Sequence, residues 1–330
     1  MSCQPPRRVR GASGAALAAA FLLVSCGTLP PNSSAVPASV ATLSPSPTDA
    51  QTPMPSPIPG SPAPSPTPHG TPLPPGAVEL VPILYLHRVV PIPADIGTWT
   101  SAAQKAFLTY VITPCEFAAQ LDWLAAHGYT TILPRDLVAH WDQGVALPSR
   151  PVILTFDDGS ADWAATVLPL LASHGMAAEF YVTTSRIGSY LTWADLIALR
   201  DAGDGIGAHD VHHVQLVGYV PQTVDAMRYE VTEAKRVLEA NLGIPVDSMA
   251  YVGGGFDSAL IDLVRAAGYR SARSIVRGAL QSSDIRFHLH VSRIGVYDDV
   301  IGKTLANAMG CVLDPAMSDF QARVTGTNAG

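Results

Sequence analysis

The sequence lacks an excess of basic residues, a paired-cysteine motif and a long apolar run. Its formal net charge is −7 and its pI is about 5.7, which argues against a nucleic-acid-binding protein, because such proteins usually carry a basic stripe. No two of its four cysteines have CxxC spacing, which argues against a zinc site built from cysteines. The apolar segment near the N-terminus, GAALAAAFLLV, is too short for a membrane span, which needs about 20 residues.

That N-terminal segment has the pattern of an export signal. Positive charge precedes the apolar residues, supplied by Arg7, Arg8 and Arg10. The segment ends in LVSC, which resembles the lipobox of bacterial lipoproteins, where cleavage leaves the cysteine as a lipidated N-terminus. We therefore predict a signal peptide over residues 1–25 and a lipid anchor at Cys26 on the outer side of a cell membrane. An ordinary signal peptide with an incidental cysteine is the alternative.

A change of composition separates a linker from a globular domain. Residues 26–76 hold more than half of the 29 prolines, with serine and threonine between them and Asp49 as the one charged residue. Such a segment has too few apolar residues to offset the entropy of ordering, so we expect an extended, disordered linker. Residues 77–330 have the composition of one globular domain, and their length of about 250 residues is typical of a β/α barrel.

Strand and helix patterns alternate along this domain. This alternation predicts an α/β fold with parallel strands and helical crossovers. A closed or nearly closed barrel fits best, and an open doubly wound sheet is the alternative. The predicted strands span residues 78–87, 129–133, 151–156, 177–182, 204–209, 248–252 and 269–275. The predicted helices span residues 114–128, 134–144, 163–175, 192–203, 222–243 and 258–268.

Side chains suited to metal binding follow two of these strands. Asp157 and Asp158 come directly after the apolar run VILTF, and His209 follows DGIGA, with His213 four residues later. Residues just past the carboxyl ends of barrel strands face one common opening. If a helical turn begins at His209, the two histidines share one face and can bind one ion.

These side chains have the composition of an open catalytic zinc site. Asp158, His209 and His213 offer one oxygen and two nitrogens, which leaves a coordination position for water. A divalent cation would also offset the charge of two adjacent carboxylates at the end of an apolar strand. Taken singly, an Asp-Asp pair is often a helix N-cap, and neighbouring histidines are often surface residues.

Two motifs resemble those of a known family. TFDDGS and HDVHHVQL are similar to the first two motifs of the NodB-homology polysaccharide deacetylases, carbohydrate esterase family four, and the similarity extends over most of residues 79–297. The branch that acts on poly-N-acetylglucosamine is the most similar one. The resemblance implies a distorted, TIM-like (β/α)7 barrel that removes N-acetyl groups from an N-acetylated polysaccharide with a divalent metal. Zn²⁺ is the first expectation, and Co²⁺, Ni²⁺ and Fe²⁺ share these ligands.

The resemblance also implies roles for single residues. By motif position, Asp157 is the general base that takes a proton from water, and Asp158, His209 and His213 hold the metal. The general acid is the least defined role. His87 closes the first strand and should point into the opening of the barrel, so it is the first candidate, with His288 and His290 as alternatives.

This sequence departs from the family pattern at two places. Asp210 stands where the family has serine or threonine, and we favour a hydrogen bond to the nearby backbone over metal ligation. In MAYVGGGFD, Val252 and Gly253 replace proline and tyrosine, so we expect a more flexible loop without the sugar-contacting aromatic residue. The Gly253 N–H either serves an oxyanion or belongs to a plain turn. No arginine stands in this loop to orient the base.

Two other functions fit the same residues. The chain is a non-catalytic carbohydrate-binding lipoprotein if the barrel survives without turnover, or a metal amidase or esterase if the substrate is a small acylated molecule. In an oxidising compartment Cys115 and Cys311 are candidates for a disulfide, which the sequence leaves open.

Overall fold

A computed structural model describes residues 70–218 and 222–293 of the chain. The predicted signal peptide, Cys26, the first 44 residues of the predicted linker and Cys311 lie outside these residues, so they stay predictions. Cys115 is disulfide-bonded, and since the other three cysteines also lie outside the described residues, a pairing with Cys311 stays open.

None of the helices in the described part of the chain is both long enough and apolar enough to cross a bilayer.

The described residues form twelve strands and seven helices. The strands are β1 (Val78–Leu80), β2 (Ile83–Leu86), β3 (Arg88–Val89), β4 (Val111–Ile112), β5 (Thr130–Thr131), β6 (Pro151–Asp158), β7 (Glu179–Val182), β8 (Gly205–Ala208), β9 (Ser248–Ala250), β10 (Ser271–Arg277), β11 (Leu280–Ser282) and β12 (Leu289–Arg293). The helices are α1 (Ser101–Leu108), α2 (Pro114–Ala126), α3 (Pro134–Gln143), α4 (Leu168–Ser173), α5 (Trp193–Asp201), α6 (Val224–Leu242) and α7 (Ser258–Ala266).

Seven parallel strands close into a ring. Their order is β2, β12, β10, β9, β8, β7 and β6, and β6 then pairs with β2, with Leu84 opposite Leu154. β5 pairs with the first two residues of β6, below the segment that pairs with β2. The predicted (β/α)7 barrel is therefore confirmed. The open doubly wound sheet is wrong, because the β2–β6 pairing leaves no free edge in the ring.

The two-residue period of β6 decides which of its side chains face the barrel interior. Leu154 and Phe156 belong to the apolar layer between barrel and helices, where the Phe156 ring stacks on Phe180 at 5.1 Å. Thr155 and Asp157, at the alternate positions, therefore point inward. The same alternation on β7 brings Tyr181 opposite Asp157. One strand thus contributes both to the core and to the site.

Helix starts follow local sequence signals. Thr113 and Glu116 form a reciprocal capping box at the start of α2, where Pro114 is the first helical residue, and Thr192 and Asp195 do the same at α5. The predicted helices over 114–128, 134–144, 192–203, 222–243 and 258–268 are confirmed within two residues at most boundaries.

Other elements were not predicted. The first part of the predicted helix 163–175 is a π-helical turn, Trp163–Val167, that leads into α4. The excursion between β2 and α2 contains α1 and the two-stranded sheet β3–β4, and the last strand of the ring is β12. These elements are short, so their sequence periodicity is weak.

Candidate metal centre and active site

Three predicted ligands converge at the carboxyl end of the barrel. Asp158, His209 and His213 each offer one ligand atom, and these atoms lie within 4.8 Å of one another. Asp158 Oδ1 is 2.8 Å from His213 Nε2 and 3.4 Å from His209 Nε2. This set of one carboxylate oxygen and two imidazole nitrogens fits a borderline divalent metal with a position left for water.

Strand register and one hydrogen bond aim the buried His209. Asp158, the last residue of β6, is opposite Val182 on β7, and Val182 is opposite Ala208 on β8. His209 therefore lies one residue beyond the level of Asp158 in the sheet. His209 Nδ1 is 2.8 Å from Ala250 O, and because a carbonyl only accepts, the proton is on Nδ1. Nε2 is therefore the nitrogen that faces Asp158 and that would bind a metal ion at this centre.

His213 reaches the centre from a loop, and the prediction of one helical face is wrong. Residues 209–213 contain no helical turn. Asp210 and His213 have φ values of 55° and 59°, and Asp158 has a φ of 86°. Positive φ at non-glycine residues costs about 1–3 kcal/mol each and persists only where surrounding contacts fix it. Among the described residues these three are the non-glycine positions with positive φ, and all belong to this centre.

Asp210 holds the loop from within, as the sequence analysis favoured. Its Oδ1 accepts a hydrogen bond from the His213 N–H at 2.7 Å, and its Oδ2 accepts one from the Val214 N–H at 3.1 Å. The side chain is fully buried, and burial raises the pKa of Asp210 to about 7. Asp210 therefore supports the position of His213 and is not one of the three converging ligands.

Glu230, on α6, fixes the backbone of the loop that carries His213, and the sequence analysis did not identify it. Its Oε2 accepts hydrogen bonds from the Val211 N–H at 2.8 Å and the His212 N–H at 2.9 Å, and its Oε1 lies 2.7 Å from the His212 ring. A signal was present in the sequence, because Glu230 stands on the buried face of α6 beside Val231, where an apolar residue is expected.

Asp157 is held by an arginine that the sequence analysis did not find. Arg273 on β10 is 1% exposed, and its Nη2 forms an ion pair with Asp157 Oδ2. Its guanidinium lies 4.9 Å from the centre of the Tyr85 ring and 5.2 Å from that of Tyr181. The sequence analysis noted that no arginine stands in the loop after β9, which is correct, but it did not consider β10. The available signal was Arg273 itself, a charged residue between Ala272 and Ser274 in the predicted strand YRSARSI.

The second oxygen of Asp157 has no hydrogen-bond partner in the part of the chain that the structure describes. Asp157 Oδ1 is buried and takes part in no hydrogen bond within the described residues. A buried oxygen without a partner is costly unless it serves a function. With Oδ2 bound to Arg273, Oδ1 is the oxygen of Asp157 that remains able to accept a proton.

Asp158 also has a cationic neighbour. Arg186, which follows β7, places its Nη1 3.2 Å from Asp158 Oδ2, the oxygen that faces away from the two histidines. Burial acts to raise the pKa of Asp158, but the hydrogen bonds from His209 and His213 outweigh it and hold this pKa well below its usual range. The carboxylate is therefore charged at neutral pH.

His87 lies beside the two carboxylates, as predicted. It follows β2, the neighbour of β6, and its backbone carbonyl accepts a hydrogen bond from Trp163 Nε1 at 2.9 Å. Burial lowers the pKa of His87 to about 4, although the charges of Asp157 and Asp158 act to raise it. The imidazole is therefore neutral at pH 7 in this structure.

The two alternative histidines lie elsewhere around the opening. His288 stacks on Phe256 at 4.9 Å, and the His290 ring is 6.4 Å from that of His288. Burial lowers the pKa of each. Within the described residues neither forms a hydrogen bond or ion pair with Asp157, whereas the electrostatic coupling of His87 to both aspartates places it nearer.

The loop after β9 is a tight turn. Val252–Gly254 form a single 3₁₀ turn in which Gly253 and Gly254 have φ values of 64° and 74°. A Cβ at Gly254 would lie 2.2 Å from Ile275 Cγ1, so this position requires glycine for space as well as for its backbone angle. The proline and tyrosine of the related proteins are thus replaced by a turn whose glycines are needed for its geometry.

Comparison with known proteins agrees with this geometry. Residues 144–272 match the family model described as polysaccharide deacetylase. This segment of the chain is therefore similar to polysaccharide deacetylases. The matched segment contains all three converging ligands and Asp157, whereas His87 and Arg273 lie outside it.

The chain is also similar to curated relatives and to solved structures. YxkH of Bacillus subtilis, predicted to be a polysaccharide deacetylase, is 25% identical over 54% of this chain and 64% of its own length. The poly-β-1,6-N-acetyl-D-glucosamine N-deacetylase of Staphylococcus epidermidis is 27% identical over 27% of this chain and 30% of its own length. The alignments thus span less than two thirds of these curated relatives. The Streptococcus pyogenes deacetylase PplD has the same fold, with a TM-score of 0.59 and 20% identity over 71% of this chain and 99% of that one.

Proposed function

We propose that this deacetylase domain is a metal-dependent N-deacetylase that hydrolyses the acetamide groups of an N-acetylglucosamine-containing polysaccharide of the cell envelope. One observation carries the proposal. The Asp158, His209 and His213 cluster lies directly beside Asp157, a buried carboxylate that forms an ion pair with Arg273 and whose second oxygen has no hydrogen-bond partner among the described residues. A binding protein has no need of such a base, so the arrangement favours an enzyme over a non-catalytic carbohydrate-binding protein.

The three ligands suit Zn²⁺ first, with Co²⁺, Ni²⁺ and Fe²⁺ as alternatives. When bound, such an ion supplies a Lewis acid for the acetyl carbonyl and lowers the pKa of water. Three features of the chain prepare the site for it: the His209 tautomer fixed by Ala250 O, the charged Asp158, and the loop of His213 held by Asp210 and Glu230.

Asp157 acts as the general base. Its Oδ1 accepts a proton from the attacking water, whose oxygen forms the new bond to the acetyl carbon. Arg273 binds Oδ2 of this carboxylate, which leaves Oδ1 as the oxygen that faces the attacking water. The collapse of the tetrahedral intermediate then breaks the carbon–nitrogen bond and releases acetic acid, which ionises to acetate in solution.

His87 is our candidate for the proton donor to the departing amine. Because burial lowers its pKa to about 4, His87 is neutral before the reaction and must first receive a proton. The neighbouring Asp157 supplies it, since Asp157 has just taken one from water. The proton count balances, because one proton leaves water and one reaches the amine nitrogen.

The names of relatives support the substrate class. The Staphylococcus epidermidis relative is named for an N-acetylglucosamine polymer, and it aligns with 27% of this chain. A Pestalotiopsis relative named chitin deacetylase is 32% identical over a similarly short segment. Both names specify N-acetylated polymers, which favours a polysaccharide over a small acylated molecule.

Acetate release tests the function. We expect the purified domain to release acetate from N-acetylglucosamine oligomers, to lose this activity with a chelator, and to regain it with Zn²⁺. The Asp157→Asn variant, with its metal content measured, is the control for contaminating activity. Acetate from small acetamides alone would support the amidase alternative, and no chelator-sensitive acetate from any substrate would leave the carbohydrate-binding alternative.

We also propose that the domain is exported and anchored to the outer side of the membrane through lipidated Cys26. The support is the LVSC sequence after an export-type segment, followed by a proline-rich stretch that gives the domain reach. Radiolabelled palmitate should enter the wild-type chain and not the Cys26→Ala variant. Equal labelling of both would contradict the anchor.

A further inference from the structure

Two exposed tyrosines lie on opposite sides of the candidate active site. The ring order places β6, which ends in Asp157 and Asp158, between β2 and β7. Tyr110 lies beside the residue that follows β2, and Tyr190 lies in the loop that follows β7. Because adjacent parallel strands end at the same edge, the two rings flank the carboxylates from both sides.

Tyr110 is brought to the site by the excursion between β2 and α2. It precedes β4, and its carbonyl accepts a hydrogen bond from the Arg88 N–H at 3.1 Å, next to the pairing of β3 with β4. The ring meets His87 edge-on with a centre distance of 4.7 Å, and Tyr110 remains 48% exposed. A half-exposed aromatic ring therefore lies next to His87, the candidate proton donor.

Tyr190 is fixed at the end of a tight turn. Ile187 and Leu191 pair across this turn, and the Tyr190 N–H donates to the Arg186 carbonyl at 2.9 Å. The Arg186 guanidinium lies 5.5 Å from the centre of the tyrosine ring, and the same arginine pairs with Asp158. Tyr190 is 63% exposed, so a second exposed ring contacts Arg186, which pairs with the metal ligand Asp158.

We propose that Tyr110 and Tyr190 are sugar-stacking subsites on either side of the reacting unit, so that the site binds an internal N-acetylated sugar of a chain. The inference rests on the proposed function and specifies its substrate as a polymer segment of at least three sugars. The apolar C–H face of a pyranose packs on an aromatic ring, and the tyrosine hydroxyl meets the sugar hydroxyls and water. Isolated exposed aromatic residues are common, but here both are fixed by contacts to site residues.

The test compares a single sugar with a chain. Acetate release is measured from N-acetylglucosamine and from its β-1,6- and β-1,4-linked pentamers, with Zn²⁺ bound. We expect Tyr110→Ala and Tyr190→Ala each to raise KM for the accepted pentamer about tenfold, and to raise it more than KM for the single sugar. Tyr110→Phe and Tyr190→Phe keep the ring and should keep the wild-type KM. Tyr129→Ala is the matched control, since Tyr129 precedes β5 at the opposite end of the barrel.

Each outcome decides between the two hypotheses. If the pentamer KM is unchanged in both alanine variants, the subsites are wrong while the proposed function stands. If Tyr110→Ala lowers kcat equally for both substrates, its role is to position His87 and the subsite is wrong.

If the wild type releases no acetate from either substrate, the proposed function fails, and pentamer binding by titration calorimetry then tests the subsites alone. Binding weakened about tenfold in the alanine variants would support the subsites, whereas unchanged or undetectable binding would overturn them.

Discussion

Two buried carboxylic acids inside the barrel differ in their partners, because only one of them has a cation beside it. At the carboxyl end, Asp157 forms an ion pair with Arg273, which lies between the rings of Tyr85 and Tyr181. On the neighbouring strand, Glu179 is level with Thr155, nearer the amino end, and accepts a hydrogen bond from the Ser248 hydroxyl. Within the described residues Glu179 has no ion-pair partner, and burial raises its pKa to about 7.

The comparison shows that burial of an acid in this barrel is accompanied by different partners at the two ends. Desolvation disfavours the ionised form of both side chains. At Asp157 the guanidinium offsets this cost, so the acid stays available as a base. At Glu179 a hydroxyl is the partner, and burial raises the pKa of this acid to about 7. The charged pair lies at the end of the barrel where the proposed chemistry occurs.

The largest expected effect comes from removing the charged acid itself. Asp157→Asn keeps the shape and removes the base, so we expect kcat for deacetylation to fall by about 10²–10⁴-fold. Metal content, measured by atomic emission on the purified variant, should remain close to that of the wild type, because Asp157 is not one of the three converging ligands. Wild-type turnover in this variant would refute the assignment of the base.

Removing the cation should leave Asp157, like Glu179, as a buried acid without the ion pair to Arg273. Arg273→Met leaves a buried carboxylate without its partner, which lowers the free energy of unfolding at pH 7 by about 3–5 kcal/mol. Denaturant titration measures this change. The double variant Asp157→Asn with Arg273→Met removes both charges and should recover part of the loss. If the loss of unfolding free energy in the double variant equals the sum of the losses in the two single variants, the ion pair does not explain the effect.

The neutral acid predicts a pH dependence of stability. The pKa of Glu179 is raised from 4.5 to about 7 on folding, so its stabilising contribution is complete below pH 4.5 and is lost as the pH rises through 7. Glu179→Gln cannot ionise. The free energy of unfolding of the wild type relative to this variant should therefore fall by about 3 kcal/mol between pH 4.5 and 8. A constant difference across this range would show that Glu179 is charged in the folded protein.

A third buried acid extends the comparison to metal affinity, with the smallest expected effect. Glu230→Gln replaces one accepting oxygen with an NH₂ group opposite the backbone N–H groups of the His213 loop, so we expect a 10- to 100-fold weaker Zn²⁺ affinity. Competition with a chromophoric chelator measures this affinity without requiring activity. Glu233→Gln, three residues along the same helix and paired with Arg236 instead of the loop, is the control. Equal affinity in both variants would exclude a role for Glu230 in positioning the loop.

The sequence allowed much of the fold and the ligand set to be predicted because these depend on local patterns. Apolar alternation identified the strands, caps and amphipathic periods identified the helices, and Asp158, His209 and His213 were identified from their place after strands. The helical turn at His209 was predicted incorrectly, because backbone angles at Asp210 and His213 depend on hydrogen bonds that local spacing does not encode.

What the sequence by itself determined is the order of strands and helices and the strand ends at which each reactive side chain stands. Only the tertiary structure decided that β2 pairs with β6 to close the ring, and that Arg273 meets Asp157 across 116 residues of chain. The physical reason is that side-chain periodicity is a local property, whereas the charge of a buried acid depends on which distant group the closed barrel places beside it.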